Sequence, residues 1–489
     1  MVIMLKLRIT FYVLTAFLIS GTLLSQDLTQ KELLGKLIFF DSNLSDPAGE
    51  SCASCHAPEV GFTGPNSNTN NTTVVYPGAI PTRFGNRKPP TAAYGGESPV
   101  FYFDPKAHLF IGGMFWDGRA TGWELGDPLA EQARGPFLNP VEQNNASKLD
   151  VVNKVRYGSY AGLFVTVYGP DIWNNTDNAY NKIADAISTY EQSSEVNPFT
   201  SKYDYYLKKM VKLTKEEQKG LSLFNGKGKC KKCHLSKGSP KGDPPLFTDF
   251  TYDNLGIPRN PDNPFYTQPS WINPDGENWV DKGLGKFLET VPQYSQYAAE
   301  NYGKHKVPTL RNVDLRPYPG FVKAYGHNGY FKSLKSIVHF YNTRDVENWD
   351  TAEVSANVNT TELGNLRLTS EDEDAIVAFL KTLSDGYVLE SDKNVTAETV
   401  SGSEPVLLQN APNPFNPSTV ISFELPEANF VTLKVYNMIG QEVAVLVNKK
   451  LSAGRYNVEW NGSGYTSGVY IYKLIAGNFV DIKKMVLIK

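Results

Sequence analysis

Apolar positions recur at helical spacing in two well-separated places along the chain. Ile183, Ile187 and Tyr190 share one face of a predicted helix, and Ile376, Phe379, Leu380 and Leu383 share one face of another, which carries a Ser370/Glu373 capping box. Upstream of each lies a short apolar stretch, Gly35-Lys-Leu-Ile-Phe39 and Gly220-Leu-Ser-Leu-Phe224, that reads as an opening helix. An opening helix, a long loop and a closing helix therefore occur twice, as a weak internal repeat with a boundary near residues 195–215. The loops at 57–110 and 236–308 are rich in Pro, Gly and Asn. Loops of that length within a compact domain usually carry function, the alternative being exposed padding. Beyond Leu383 the period changes to two, in Val420-Ile-Ser-Phe-Glu-Leu, Val431-Thr-Leu-Lys-Val-Tyr and Gly468-Val-Tyr-Ile-Tyr-Lys-Leu, which predicts strands of a small β-sandwich.

The N-terminus follows neither period. Lys6 and Arg8 precede an apolar run from Ile9 to Ile19, followed by small and polar residues, and this is the layout of a secretory signal peptide. Cleavage is expected after Ser25, giving a signal peptide at 1–25 and an exported mature chain that does not span a membrane; an uncleaved anchor is the alternative. With 489 residues the chain has room for two or three domains. A net charge of −3 without long basic runs gives no reason to expect a nucleic-acid partner. Domains are expected at 26–200 and 201–390, then a polar linker at 391–404 and the β-domain at 405–489.

All four cysteines fall in two copies of one motif, Cys52-Ala-Ser-Cys55-His56 and Cys230-Lys-Lys-Cys233-His234. Two thiols two residues apart can each form a thioether to one porphyrin vinyl group, and the following imidazole can then ligate the iron. A redox dithiol or half of a zinc site uses similar spacing. No βαβ pattern surrounds either copy, however, and a Cys2His2 set would strand the other motif. Two covalently bound c-type haems are therefore expected, with His56 and His234 as ligands. Attachment of such haems outside the cytoplasm agrees with the leader.

Around these motifs stand LGKLIFFDSNLS, SCASCHAPEVGFTG, NRKPPTAAYG, GGMFWDGRA, EQARGPFLNPVEQN and LRNVDLRPYPGFVKAYGHNG. In this order they resemble the bacterial di-haem cytochrome c peroxidase and MauG family, from about Leu33 to Leu383. The tail, with NAPNPFNPSTVISFELPE, VYNMIGQEVAVL, LSAGRYNVEWNG, SGVYIYKLIAG and KKMVLIK, resembles the type A sorting domain of type IX secretion. The expected fold class is thus mainly α, with two tandem cytochrome c-like haem domains and long loops, followed by a small all-β Ig-like sandwich. The tail implies contact with the type IX machinery and a periplasmic, cell-surface or extracellular location.

The resemblance implies roles for particular residues. His56 would anchor the peroxide-reacting haem and His234 the electron-accepting one, with Trp116 relaying electrons between them. Glu142 would move the peroxide proton, and Gln132 would hydrogen-bond the bound oxygen species. Three positions depart from the family pattern. Ile80 stands where many members carry a capping histidine, and the loop from Ala57 to Ala107 holds no histidine, so the first haem is expected to be open; His108 is the nearest candidate to close it. No methionine follows His234 within the second module, and fourteen residues on from His327 is Tyr341, a place held by tyrosine in the MauG branch. Tyr341 is therefore the proposed axial ligand, with His327 and His339 as rivals and His327 also a candidate hydrogen-bonding partner. Lys88 replaces the asparagine of the family's calcium site, which leaves calcium doubtful.

These positions lead to an exported peroxidase that reduces hydrogen peroxide with electrons from a small donor protein, a cytochrome c or a cupredoxin. MauG-like oxidation of a protein or organic substrate is the second reading, and a non-enzymatic di-haem electron carrier the third. A homodimer is among the assemblies open to the chain.

Overall fold

The computed structural model describes residues 28–238, 244–387, 389 and 404–488, apart from 428, 439–440, 452 and 478 in the tail. The expected signal peptide lies outside these residues, as does the linker except Glu404. One compact unit ends at Asp385 and a second runs from Gly386 to Lys489. Among the described residues no helix is long and apolar enough to cross a membrane.

The helical repeat is closer than its apolar pattern indicates. Helix Gln30–Phe39 begins with a Thr29/Glu32 capping box, and helix Lys215–Asn225 with a Thr214/Glu217 box. In both, the N-cap threonine and N3 glutamate satisfy each other's backbone amides, which fixes where the helix starts. Six residues after each cap threonine comes a glycine. A Cβ on Gly35 would stand 1.9 Å from Ala186 O, and one on Gly220 would stand 1.9 Å from Ala375 O. Each opening helix therefore crosses its closing helix, Thr176–Glu191 or Ser370–Lys381, with backbone nearly touching backbone.

Burial follows from these crossings. Leu34, Ile38 and Phe39 pack with Ile183, Ile187 and Tyr190, while Phe224 packs with Ile376, Phe379, Leu380 and Leu383. Gly220→Ala is expected to lower stability by about 3 kcal/mol or more, because the added methyl meets backbone that cannot rotate away. Gly162→Ala, in helix Ala161–Tyr168 with nothing within 4 Å of the added carbon, is expected to be neutral or slightly stabilising. Thermal unfolding of the two haem-loaded variants checks the contrast.

The second closing helix starts one residue earlier than the sequence reading has it. Thr369 is the N-cap and Asp372 its capping-box partner, in place of Ser370 and Glu373. Glu373 instead turns inward, where it accepts from His339 Nδ1 (2.9 Å) and Asn342 Nδ2 (2.7 Å).

The two modules form one body because several contacts cross between them. Arg87 grips Asp281, Lys306 N donates to Trp116 O (2.8 Å), and Lys323 Nζ donates to Val60 O (2.8 Å). The long loops contain short elements of their own: helix Ser67–Asn71, a hairpin of Tyr102–Asp104 with Leu109–Ile111, helix Gly283–Leu288, and the pair Tyr252–Asp253 with His305–Lys306.

The second unit is all-β. One sheet orders strands Phe479–Leu487, Gly468–Ala476, Asn429–Asn437 and Glu442–Leu451; the other orders Val406–Leu407, Ser418–Leu425 and Gly454–Asn461, all antiparallel. Alternate residues face inward: Ile421, Phe423 and Leu425, then Val431, Leu433 and Val435, then Tyr470, Tyr472 and Leu474 are buried together. This is the expected period-two pattern realised as one core.

Candidate active site

Both cysteine motifs form a single tight turn. His56 N donates to Cys52 O (3.0 Å) and His234 N to Cys230 O (2.9 Å), so each histidine follows directly behind its thiol pair. His56 Nδ1 donates to Phe62 O (3.2 Å) and His234 Nδ1 to Phe247 O (2.8 Å). Each imidazole is thereby held in the tautomer that leaves Nε2 free, as an axial ligand requires. Burial lowers the pKa of both rings, His56 to about 4, so they are neutral and their lone pairs are available. The four thiols are unpaired, and burial pushes Cys52 and Cys230 up to about 12. That environment disfavours a thiolate metal site or a reactive dithiol, both of which need depressed values.

A large cavity opens beside the second motif. Cys230, Cys233, His234 and Tyr341 line it, with Leu334, Ile337 and Val338 among its apolar walls. Five lysines, Lys88, Lys229, Lys232, Lys306 and Lys323, line it beside Asp253, Asp281, Glu353 and Glu362, and none of the five makes an ion pair among the described residues. Burial lowers Lys88 to about 8 and Lys306 and Lys323 to about 7. Apolar walls together with lysines that make no ion pair suit a flat apolar group that carries carboxylates and would restore their charge, which is what a porphyrin with its propionates offers. The residues present fit haem.

They do not fit calcium. Lys88 Nζ donates to Pro89 O (2.9 Å) and Thr63 Oγ1 (3.3 Å), so an ammonium already uses oxygens that a hard cation would need.

Tyr341 sits on helix Leu334–Thr343 with its hydroxyl free of hydrogen bonds among the described residues. Burial raises its pKa, and the nearby Cys233 and Cys230 raise it further. The rival His339 has both ring nitrogens on carboxylates, Nδ1 at 2.9 Å from Glu373 and Nε2 at 3.0 Å from Glu347, and it does not line the cavity. The other rival, His327, does line the cavity, stacked on His305. Trp116 lies in the cavity wall, 9 % exposed, with Nε1 donating to Lys88 O (2.9 Å).

Around the first motif the structure gathers Glu142, Ile80 and Arg119. Glu142 O accepts from Ala79 N (2.7 Å), which ties the glutamate to the residue before Ile80. The charge of Glu142 acts on both Cys52 and Cys55, and Gln143 Nε2 lies 4.0 Å from Cys52 Sγ. Burial raises the Glu142 pKa, opposed in part by Arg119 and Asn139. Arg119 is held over the Phe115 ring at 3.9 Å and pairs with Asp117 (2.7 Å).

Gln132 is half-buried on helix Pro128–Leu138, and its amide makes no hydrogen bond among the described residues. Its neighbour Glu131, overlooked in the sequence, accepts from Gly122 N, Glu124 N and Leu125 N and so shapes the loop after Trp116. His108 stands exposed in its hairpin turn, 3.1 Å from Glu300.

Two anchored CxxCH turns, with a half-buried acid beside one and a half-buried phenol near the other, define an oxidoreductase of the di-haem c-type class. The chain belongs to the di-haem cytochrome c peroxidase and MauG family: residues 29–212 match the di-haem cytochrome c peroxidase model. It is 33 % identical to the methylamine utilization protein MauG of Paracoccus denitrificans, over 72 % of this chain and 88 % of that protein. It is 29 % identical to the cytochrome c551 peroxidase of Nitrosomonas europaea, over 72 % and 79 %. Among solved structures, the diheme peroxidase BthA from Burkholderia thailandensis matches with a TM-score of 0.62 at 32 % identity, over 73 % of this chain and 87 % of that one. Residues 411–489 match the secretion system C-terminal sorting domain. Family members bind two c-type haems, and this chain carries an attachment motif for each.

Proposed function

We propose that the protein is an exported peroxidase that reduces hydrogen peroxide to water with two electrons and two protons drawn from a small donor protein and solvent. The observation that carries this reading is Glu142, a half-buried carboxyl with raised pKa beside Cys52 and Cys55 and tied to the Ile80 loop. An electron carrier has no use for such a group. When bound at His56 and His234, the haems supply iron that exchanges electrons. Glu142 accepts the proton from one peroxide oxygen and returns it to the other, so that the departing oxygen leaves as water. Gln132 is assigned to hydrogen-bonding the substrate. Trp116 lies on the wall of the cavity that holds the second motif and is assigned to carrying electrons from a haem bound there toward the first.

Ile80 gives the first haem no side-chain ligand, so peroxide is expected to react without prior reduction of the protein. Stopped-flow mixing of peroxide with the fully oxidised protein tests this. A change within the mixing series supports the open site, and reaction only after prereduction refutes it. Turnover of a reduced cytochrome c in the same series supports the peroxidase reading.

A second reading, MauG-like oxidation of a protein or organic substrate, is favoured by Tyr341, because among the described residues no methionine lines the cavity around Cys230 and His234. Peroxide consumption without oxidation of cytochrome c or a cupredoxin selects it. The sorting domain supports export through the type IX machinery, and comparing periplasmic with surface-exposed fractions of producing cells distinguishes the two locations.

A further inference from the structure

The two haem-attachment motifs are set in opposite charge. From Gly226 to Gly242, around Cys230 and Cys233, stand six lysines and no acidic residue; the matching span around Cys52 and Cys55, Ala48 to Gly64, has Glu50 and Glu59 and no Lys or Arg. Lys227, Lys229, Lys231, Lys232 and Lys237 are exposed, while Lys241 lies outside the described residues. Lys231 and Lys232 sit between the two attachment thiols and Lys229 directly precedes the first, so three of the charges belong to the attachment turn itself. Leu235, between Lys232 and Lys237, is 46 % exposed.

These charges are not spent inside the protein. Lys229, Lys231, Lys232 and Lys237 make no ion pair among the described residues, although Lys229 Nζ donates to Thr361 O (2.7 Å). Lys227 is the exception, 3.7 Å from Asp372. Three half-buried acids, Asp249, Asp253 and Glu362, act on Cys233, and each already accepts a hydrogen bond: Asp249 from Thr251, and Asp253 and Glu362 from Asn359.

We propose that this lysine face is the docking surface for a small acidic redox protein, which passes one electron to ferric iron held at His234, no bond being made or broken. The proposal deepens the donor role assigned above and rests on it. An exposed leucine among lysines has the layout of a transient interface, a small apolar contact inside a polar rim. Clustered like charges attract an acidic partner over about one Debye length and repel a basic one, which governs the rate of encounter more than the affinity. The first motif, with its two glutamates, offers the same donor no attraction, so the charge difference directs it to the second module.

The test uses full-length oxidised protein with both haems attached and no peroxide. Reduced flavodoxin, an acidic donor of low potential, is mixed with it by stopped flow, and binding of oxidised flavodoxin and of an oxidised basic cytochrome c is measured by surface plasmon resonance. Haem reduction by flavodoxin is expected to slow by about tenfold or more between about 0.01 M and about 1 M salt. At the lower salt the doubly reversed variant, Lys231→Glu with Lys237→Glu, should be slower than wild type by about tenfold or more, and the two should converge at the higher salt. A change of haem potential alone persists in salt, so convergence assigns the effect to encounter. Glu59→Lys, exposed beside the first motif, should react as the wild type does. Haem absorbance and far-ultraviolet circular dichroism confirm that each variant is folded. A rate independent of salt, equal rates in wild type and the double variant, an equal effect of Glu59→Lys, or tighter binding of the basic cytochrome overturns the docking face. Because peroxide is absent, this outcome is read separately from the peroxidase reading.

Discussion

Glu142→Gln is expected to cut peroxide turnover by about 10²- to 10⁴-fold, the usual contribution of a positioned acid–base group, while both haem spectra stay as in the wild type. Glutamine keeps the shape and removes only the proton-accepting carboxylate. Burial raises the pKa of Glu142, so wild-type activity should climb with pH as this carboxyl ionises, and the climb should vanish in the variant. Stability should move the other way. A carboxyl whose folded-state pKa exceeds its unfolded value favours folding fully only below the unfolded pKa, and that contribution is lost as pH rises through the folded one. Ionisation of Glu142 is thus disfavoured in the native protein, and Glu142→Gln should unfold at an equal or slightly higher temperature. A group kept at a cost to stability is the mark of a functional rather than a structural residue. Unchanged turnover, with haems intact, refutes the acid–base assignment.

The parts of the molecule legible in the sequence are those written in local periods. The inward alternation of Ile421, Phe423 and Leu425 and the helical face of Ile183, Ile187 and Tyr190 repeat within a few residues, so their faces follow from spacing alone. The two CxxCH turns are equally local. Capping was legible only to within a residue, since Thr369 and Ser370 both cap well and residues 371–373 are all acidic. Long-range demand decided it: His339 and Asn342 draw Glu373 inward, leaving Asp372 for the cap. The cavity lysines and the stacked pair of His305 and His327 had no local signature. Their members lie on segments tens of residues apart, and only tertiary packing brings them together.

Tyr341→Phe is expected to alter the absorption spectrum of one haem and leave the other unchanged. The residue lines the cavity that holds Cys230, Cys233 and His234, and its charge neighbours are the two cysteines of that motif and Asp253. Its hydroxyl makes no hydrogen bond among the described residues, so the oxygen is available to a cation placed in that cavity. Bound to ferric iron, a phenolate favours the oxidised state, so losing it should raise that haem's potential by roughly 100 mV or more, well within the span axial ligands command. Tyr341→Met, which supplies a thioether, should raise it further and restore a low-spin spectrum. Because phenylalanine fills the same space without the unpaired oxygen, the variant should fold as well as the wild type, so spectral change cannot be ascribed to unfolding. Identical spectra and potentials in all three proteins would reduce Tyr341 to a cavity-lining residue and leave His327, on the same cavity, as the ligand to test next.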